Sequence, residues 1–192
     1  MNFKSVIHSH IQDHKDVVNH LDEETIKKIE EVSNLLVDCL SNGKTIFWCG
    51  NGGSAGDSQH LAAELIGRYK NDRRPLRSIA LTTDSSAITC ISNDYSYDKV
   101  FERQIEGLGT KGDVLIGIST SGNSFNVINA VKKANKIGVT TVCMLGNNGG
   151  AANEIADHSI IINSQSTARI QEMHIFVGHI FCDLIEHGLS LK

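Results

Sequence analysis

Val114-Leu115-Ile116-Gly117-Ile118-Ser119-Thr120-Ser121-Gly122-Asn123-Ser124 carries an apolar run into a polar turn, and the pattern behind it is helical, with Val127, Ile128, Val131 and Ala134 apolar. A buried strand that ends in small polar residues and opens a helix is the repeating unit of parallel α/β sheets. The turn also presents hydroxyl and backbone N–H donors at the positive end of a helix dipole, which suits a phosphate. The plainer alternative is a capped turn with Ser121, Asn123 or Ser124 as N-cap, although Ser119, Thr120, Ser121 and Ser124 together exceed what a cap needs.

The same grammar recurs on either side. Thr45-Ile46-Phe47-Trp48-Cys49 is an apolar strand followed by Gly50-Asn51-Gly52-Gly53-Ser54-Ala55-Gly56-Asp57, a glycine-rich turn whose backbone can approach a ligand closely. It is neither a Walker loop, since no Gly-Lys-Ser/Thr follows, nor the dinucleotide fingerprint, whose glycine spacing differs. The helix after it is expected from about Asp57 to Gly67, with Leu61, Ala62, Leu65 and Ile66 inward, and Arg68 to Arg77 reads as a polar loop holding the only proline, Pro75. Ser78–Leu81 is the next strand, and Thr82–Ser86 starts a helix that Asn93-Asp94-Tyr95 breaks. A helix from about Asp98 to Gly107 precedes the central strand. A strand at Val139–Leu145 then meets a third glycine-rich turn, Gly146–Gly150, and a short helix leads to a strand at Ser159–Ile162 and a last helix from Thr167 to His187. This alternation predicts one open, mostly parallel, doubly wound α/β sheet with its ligand at the carboxyl edge of the strands.

Residues 1–41 form a helical arm and 42–192 the α/β core of a single domain. In the arm, Asp22 is placed to cap a helix with Ile26, Ile29, Val32, Leu35, Leu36 and Cys39 at helical spacing, and Asn42-Gly43 stops it. The preceding stretch has a weaker apolar stripe. Neither helix has a sheet of its own to cover, so both are expected to pack on another subunit. His8, His10, His14 and His20 read as solvated surface.

With 40% apolar residues and a formal net charge of −4 in 192 residues, the composition fits a soluble domain with a sizeable core and no dedicated nucleic-acid surface. No run approaches a membrane span, and no signal sequence opens the chain, so no membrane partner is expected. Five scattered cysteines, mostly within apolar runs, read as reduced and buried, which fits a cytoplasmic protein.

Glycine- and serine-rich turns after parallel strands, without a nucleotide motif, resemble the sugar isomerase (SIS) fold, a flavodoxin-like sheet. The resemblance sharpens over Cys49-Gly50-Asn51-Gly52-Gly53-Ser54 with Asp57, His60, Ala63-Glu64-Leu65 and Gly67-Arg68-Tyr69. Together with Asn93-Asp94, Gly117–Ser124 and Arg169-Ile170-Gln171-Glu172 with His174 and His179, these are similar to the phosphoheptose isomerase family over nearly the whole chain. The resemblance implies isomerisation of D-sedoheptulose 7-phosphate to D-glycero-D-manno-heptose 7-phosphate, the first committed step towards the heptose of bacterial surface polysaccharide. It implies a cytoplasmic homotetramer with one Zn2+ per site. It also implies substrate contacts from Asn51, Gly52, Gly53, Ser54, Glu64, Asn93, Asp94, Ser119, Thr120, Ser121, Ser124 and Gln171. The metal positions it implies are His60, Glu64, Gln171 and His179. Many members carry Asp before the Arg-Ile-Gln-Glu run, where this chain has Ala168.

A ketose–aldose isomerase needs a base near the carbon, an acid near the carbonyl oxygen, and gains from a cation that polarises that oxygen. His60 and Glu64, four apart, share a helix face, and read either as half a zinc site or as a surface hydrogen bond. His179, within an apolar stretch, needs a partner, whereas His174 reads as a satisfied core histidine. Glu64 is assigned as the base and His179 as the second acid–base group. Gln171 and His179 lie about 12 Å apart along one helix, which suggests that two chains share each site. The competing reading is a non-catalytic SIS module that binds phosphosugars or associates with a replication initiator; it would have no reason to keep His60, Glu64, Gln171 and His179 together.

Overall fold

Cys49 pairs with Gly117 and Gly50 with Ile118 in register, so the two glycine- and serine-bearing turns leave the sheet side by side. The computed structural model describes residues 2–190. Its strands β1 (Ile46–Gly50), β2 (Ser78–Ala80), β3 (Val114–Ser119), β4 (Thr140–Gly146) and β5 (His158–Ile162) form one parallel sheet in the order β2-β1-β3-β4-β5. The chain steps outward from β1 to β2, then returns past β1 to β3 and continues the other way. Winding therefore reverses between β1 and β3, and their carboxyl ends open onto the crevice where ligands of such sheets bind.

β1 and β3 are buried along their whole length because helices cover both faces. Ile46, Trp48, Ile116 and Met144 pack into one core with α2 (Glu23–Ser41), α3 (Gly53–Ile66) and α8 (Thr167–Gly188). Phe47, Leu115, Cys143 and Leu145 pack into a second core with α4 (Ser85–Asp94), α5 (Val100–Leu108), α6 (Phe125–Ile137) and α7 (Gly150–Asn153). The doubly wound expectation holds. Cys39, Cys49, Cys143 and Cys182 are buried and Cys90 exposed, all five unpaired.

Three boundaries move. α3 starts at Gly53, four residues before Asp57, because Gly52, with φ of 54°, turns the chain directly from strand to helix. β3 continues through Ser119, so the polar turn is shorter than its composition suggests. Asn93 and Asp94 end α4 from inside it; that helix is capped by Asp84, whose carboxylate accepts from the Ala87 N–H at 2.9 Å.

The N-terminal arm is corrected by half. α2 begins as expected, with Asp22 accepting from the Thr25 N–H at 2.8 Å. It does have a sheet face to cover, since Ile29, Val32, Leu36, Cys39 and Leu40 are buried in the first core. The unpartnered stripe belongs to α1 (Phe3–Asn19), which buries no residue and leaves Phe3 70%, Ile7 57% and Val6 48% exposed. α1 rests on the body through both kinds of contact: Val17 and Val18 are half-buried against the first core, His14 Nδ1 lies 2.7 Å from Glu172 Oε2, and Arg169 donates to the His10 carbonyl at 2.7 Å. His8, His10 and His20 are exposed as expected, but His14 is half-buried by that pairing.

Two buried polar groups tie α8 to the rest. His174 is fully buried, and its Nε2–H donates to the Leu145 carbonyl at 3.0 Å, as a core histidine. Arg73, from the segment read as a polar loop, is 1% exposed and meets the fully buried Glu186 at 2.9 Å. Glu186 also accepts from the N–H groups of Tyr69, Lys70 and Asn71 at 3.1, 3.2 and 3.0 Å. Burial pushes this carboxyl up, but the three amides and Arg73 together hold it below the usual carboxylate value.

Burial lowers His174 from 6.5 to about 4, against the pull of its bond to Leu145. Above pH 6.5 residue 174 is neutral whether the chain is folded or not, so it adds no pH dependence. As pH falls towards 4 the unfolded chain takes up a proton that the folded chain refuses, and stability drops by about 3 kcal/mol. Unfolding free energies from denaturant titrations across this range should therefore fall more steeply for the parent chain than for His174→Gln.

Candidate functional site

The serine turn is built around a buried hydroxyl. Ser119 is 4% exposed; its Oγ accepts from the Gly122 N–H at 3.1 Å and lies 3.1 Å from Ser124 Oγ. Ser121 is exposed, and its Oγ accepts from the Asn123 N–H at 3.2 Å, which leaves its own proton free to donate. Ser124 stands at the N-cap of α6 but makes no side-chain cap bond, and Gly52 likewise leaves α3 without one. Two helix starts without side-chain caps thus flank the crevice between β1 and β3, both with the positive dipole end towards it.

The third glycine-rich turn buttresses this one. Asn147 donates to the Thr120 carbonyl at 3.1 Å, the Ala152 N–H to the Gly122 carbonyl at 2.9 Å, and the Ala151 N–H to Asn123 Oδ1 at 3.1 Å. The fit is tight enough that a Cβ on Gly122, which has φ of 66°, would overlap the Gly149 carbonyl oxygen. Asn51 is held as a brace across the crevice. It exchanges a reciprocal pair of 2.8 Å carboxamide bonds with Asn126, and its oxygen also accepts from the Tyr97 hydroxyl at 3.0 Å. Asn93 and Asp94 are exposed at the end of α4, where Asn93 donates to Asp94 at 2.8 Å; among the described hydrogen bonds neither reaches the cluster below.

That cluster is His60 and Glu64 on α3 with His179 on α8. His60 Nε2 lies 3.1 Å from Glu64 Oε1 and 3.3 Å from His179 Nε2, and one donor atom from each falls within 4.8 Å of the others. The two helices come this close because Gly178 has no side chain; a Cβ there would sit 2.5 Å from Leu61 Cδ1. Further back along both helices, a Cβ on Gly53 would overlap the Gln171 carboxamide. α3 and α8 therefore run alongside one another, which brings His60, Glu64 and His179 together and leaves Gln171 beside the start of α3. The roughly 12 Å between Gln171 and His179 is matched by the rise of α3 from Gly53 to His60, about 10.5 Å, so Gln171 faces the start of α3 while His179 faces His60.

The cluster fits a metal ion. Two imidazole nitrogens and a carboxylate oxygen are a borderline donor set of the kind zinc takes, and tetrahedral bonds of 2.0–2.2 Å space neighbouring donors about 3.4 Å apart, close to the separations of 3.1 and 3.3 Å here. Burial, helped by the adjacent His60, holds His179 below the ordinary imidazole value, with Glu64 opposing. A neutral ring with a lone pair is the form that ligates metals or accepts protons. One turn before His60, burial pushes Asp57 up to about 6, again with His60 opposing. Tyr69 stacks on the His179 ring at 5.6 Å between centroids and 20° from parallel.

Residues 9–146, well over half of the chain, match the SIS domain. The chain is also 51% identical over 187 residues to the phosphoheptose isomerase of Aliarcobacter butzleri, covering 97% of this chain and 99% of that one. It belongs to the phosphoheptose isomerase family. Structures agree: the phosphoheptose isomerase of Neisseria gonorrhoeae superposes with a TM-score of 0.92 at 39% identity, over 97% of this chain and all of that one. The one from Francisella tularensis gives 0.94 at 31% identity over the same shares. Phosphoheptose isomerases are sugar-phosphate isomerases of the aldose–ketose class. Asn126 and Tyr97, which brace Asn51, and Asp57, one turn before His60, are residues to which sequence reading assigned no role. Asn126 could have been noticed as a polar residue in the first turn of α6, beside the apolar Val127 and Ile128.

Replacing Gly122 by Ala forces a left-handed backbone on a residue with a Cβ and drives that Cβ into Gly149. The Gly122→Ala chain should lose at least about 2 kcal/mol, read as the shift in its denaturant midpoint.

Proposed function

We propose that this chain isomerises D-sedoheptulose 7-phosphate to D-glycero-D-manno-heptose 7-phosphate through an enediol, feeding the heptose of bacterial surface polysaccharide. The observation that carries this reading is the convergence of His60, Glu64 and His179 on paired helices, the first of which opens at the Gly52-Gly53 turn. The serine turn and the uncapped start of α6 hold the phosphate, with Ser121 free to donate and Ser119 buried as scaffold. Thr120, Ser124, Ser54, Asn93, Asp94 and Gln171 complete the substrate contacts that the family resemblance suggests, and Asn51 braces the crevice.

Glu64 removes the proton from C1 of the open-chain ketose as the C2 carbonyl oxygen gains one, which leaves the 1,2-enediol. Returning a proton to C2 while the C1 hydroxyl gives up its own produces the aldehyde. His179 exchanges those oxygen-bound protons. His60, Glu64 and His179 would hold a Zn2+, with Gln171 as the further ligand the family resemblance suggests, and the ion would supply polarisation of the carbonyl oxygen. Further copies of the chain cover the exposed α1 stripe in a cytoplasmic homotetramer. Among the described residues no helix is long and apolar enough to cross a membrane.

The test is direct. Purified protein incubated with sedoheptulose 7-phosphate should yield the heptose 7-phosphate by NMR, with inorganic phosphate competing. Glu64→Gln keeps the shape and loses the base, so turnover should fall by about 10²–10⁴-fold; activity within tenfold of the parent removes Glu64 from that role. A parent chain that binds the sugar phosphate without turning it over is a binding module instead. Light scattering should give four chains per particle, and a monomer would leave the α1 stripe unexplained.

A further inference from the structure

Tyr69 lies between α3 and β2, on a stretch of backbone whose path a single carboxylate dictates. The N–H groups of Tyr69, Lys70 and Asn71 all point at the fully buried Glu186. Arg73, bound to the same carboxylate, also donates to the carbonyl of Glu64 at 2.8 Å and to that of Leu65 at 2.8 Å. One buried ion pair thereby fixes the backbone beneath Glu64 and the segment that carries the Tyr69 ring. That ring faces the His179 imidazole at 5.6 Å and 20°, while His60 meets the same imidazole edge-on, at 5.1 Å and 66°. Lys70 adds a cation 5.4 Å from the Tyr69 centroid and is anchored at 2.8 Å by Asp183, one turn beyond His179 on α8. A histidine on a helix surface has more than one staggered χ1 well open to it. Two rings packed on His179 from different directions leave room for the conformer whose Nε2 faces His60.

We infer that Tyr69 is a positioning residue, pinned by Glu186 and Arg73, whose ring holds the His179 imidazole in line with His60 and Glu64. It touches no reacting atom in this account; it acts through His179. The kinetic part of its test rests on the proposed isomerase reading, whereas the metal and spectroscopic parts do not.

Full-length parent, Tyr69→Phe and Tyr69→Leu chains separate ring from hydroxyl from bulk. Co2+, added alone and followed by its visible absorption, reports the cluster without substrate. Tyr69→Leu should bind Co2+ about tenfold more weakly or worse, and lose turnover number by a similar factor with KM little changed. Tyr69→Phe should match the parent in both, and all three should share one melting temperature within a few degrees. In 15N spectra without metal, the His179 ring signals of Tyr69→Leu should move towards those of a freely rotating imidazole, and those of Tyr69→Phe should not. Parent-like Co2+ binding and ring signals in Tyr69→Leu overturn the inference. So does a Tyr69→Phe chain that fails as badly as Tyr69→Leu, because the hydroxyl would then be the active part. If Tyr69→Leu melts far below the parent, Tyr69→Trp, which restores a flat ring, decides by whether Co2+ affinity returns. A parent chain that binds Co2+ normally but turns over no sugar phosphate removes the proposed function and leaves this inference to the metal and ring measurements.

Discussion

The site depends on how closely α3 can lie against α8. Gly178 meets Leu61 with no side chain between them, and Gly53 meets Gln171 in the same way. A side chain at Gly178 would press on Leu61 and one at Gly53 would take the space of the Gln171 carboxamide, and a donor set spaced 3.1 and 3.3 Å apart has little slack to absorb a shift of either helix. Glycine inside or opening a helix costs stability relative to alanine. At these two places the cost is the condition for bringing residues from opposite ends of the sequence to a common point.

The crevice itself follows from winding. Because β1 and β3 are neighbours but their connections leave in opposite directions, no crossover covers their shared carboxyl edge, and the helices that follow them start there without side-chain caps. The chain as a whole carries a net charge of −4, yet the local field at that edge is set by backbone dipoles pointing inward. An anion at this edge would need no basic patch, so the overall charge says little about it. The turn after β4 contributes by shape, its backbone packed beneath the serine turn so that the hydroxyls keep their places without a ligand.

Much of this was legible in the residues. Strand–turn–helix alternation predicts the doubly wound sheet, and the polar turn between β3 and α6, the His60–Glu64 pair and the burial of His174 follow from spacing and composition. What escaped reading was set by contacts distant in sequence. Nothing in the run Arg68–Arg77 distinguishes Arg73, which is buried, from its basic neighbours, because its partner Glu186 lies on the far end of α8. Periodicity could not tell that α2 covers the sheet while α1 does not, since an apolar stripe, strong in α2 and weaker in α1, says only that a face is covered and not by what. The length of one helix says nothing of its neighbour: α3 runs alongside α8 and brings His60 and Glu64 to His179. α3 itself starts early because a backbone turn at Gly52, invisible to hydrophobic pattern, replaces the loop.

The buried pair also orders events in time. Tyr69 and Glu186 are 117 positions apart, and Arg73 is buried against a carboxylate that a growing chain acquires only with its last helix. Until α8 docks, that guanidinium is solvated, the segment after α3 has nothing to pin it, and His60 and Glu64 lack their third member. Contacts of such long range raise contact order and slow the closing step of folding. On a ribosome, His60 and Glu64 therefore emerge long before the helix that carries their third member, and the cluster can close only once synthesis has reached α8.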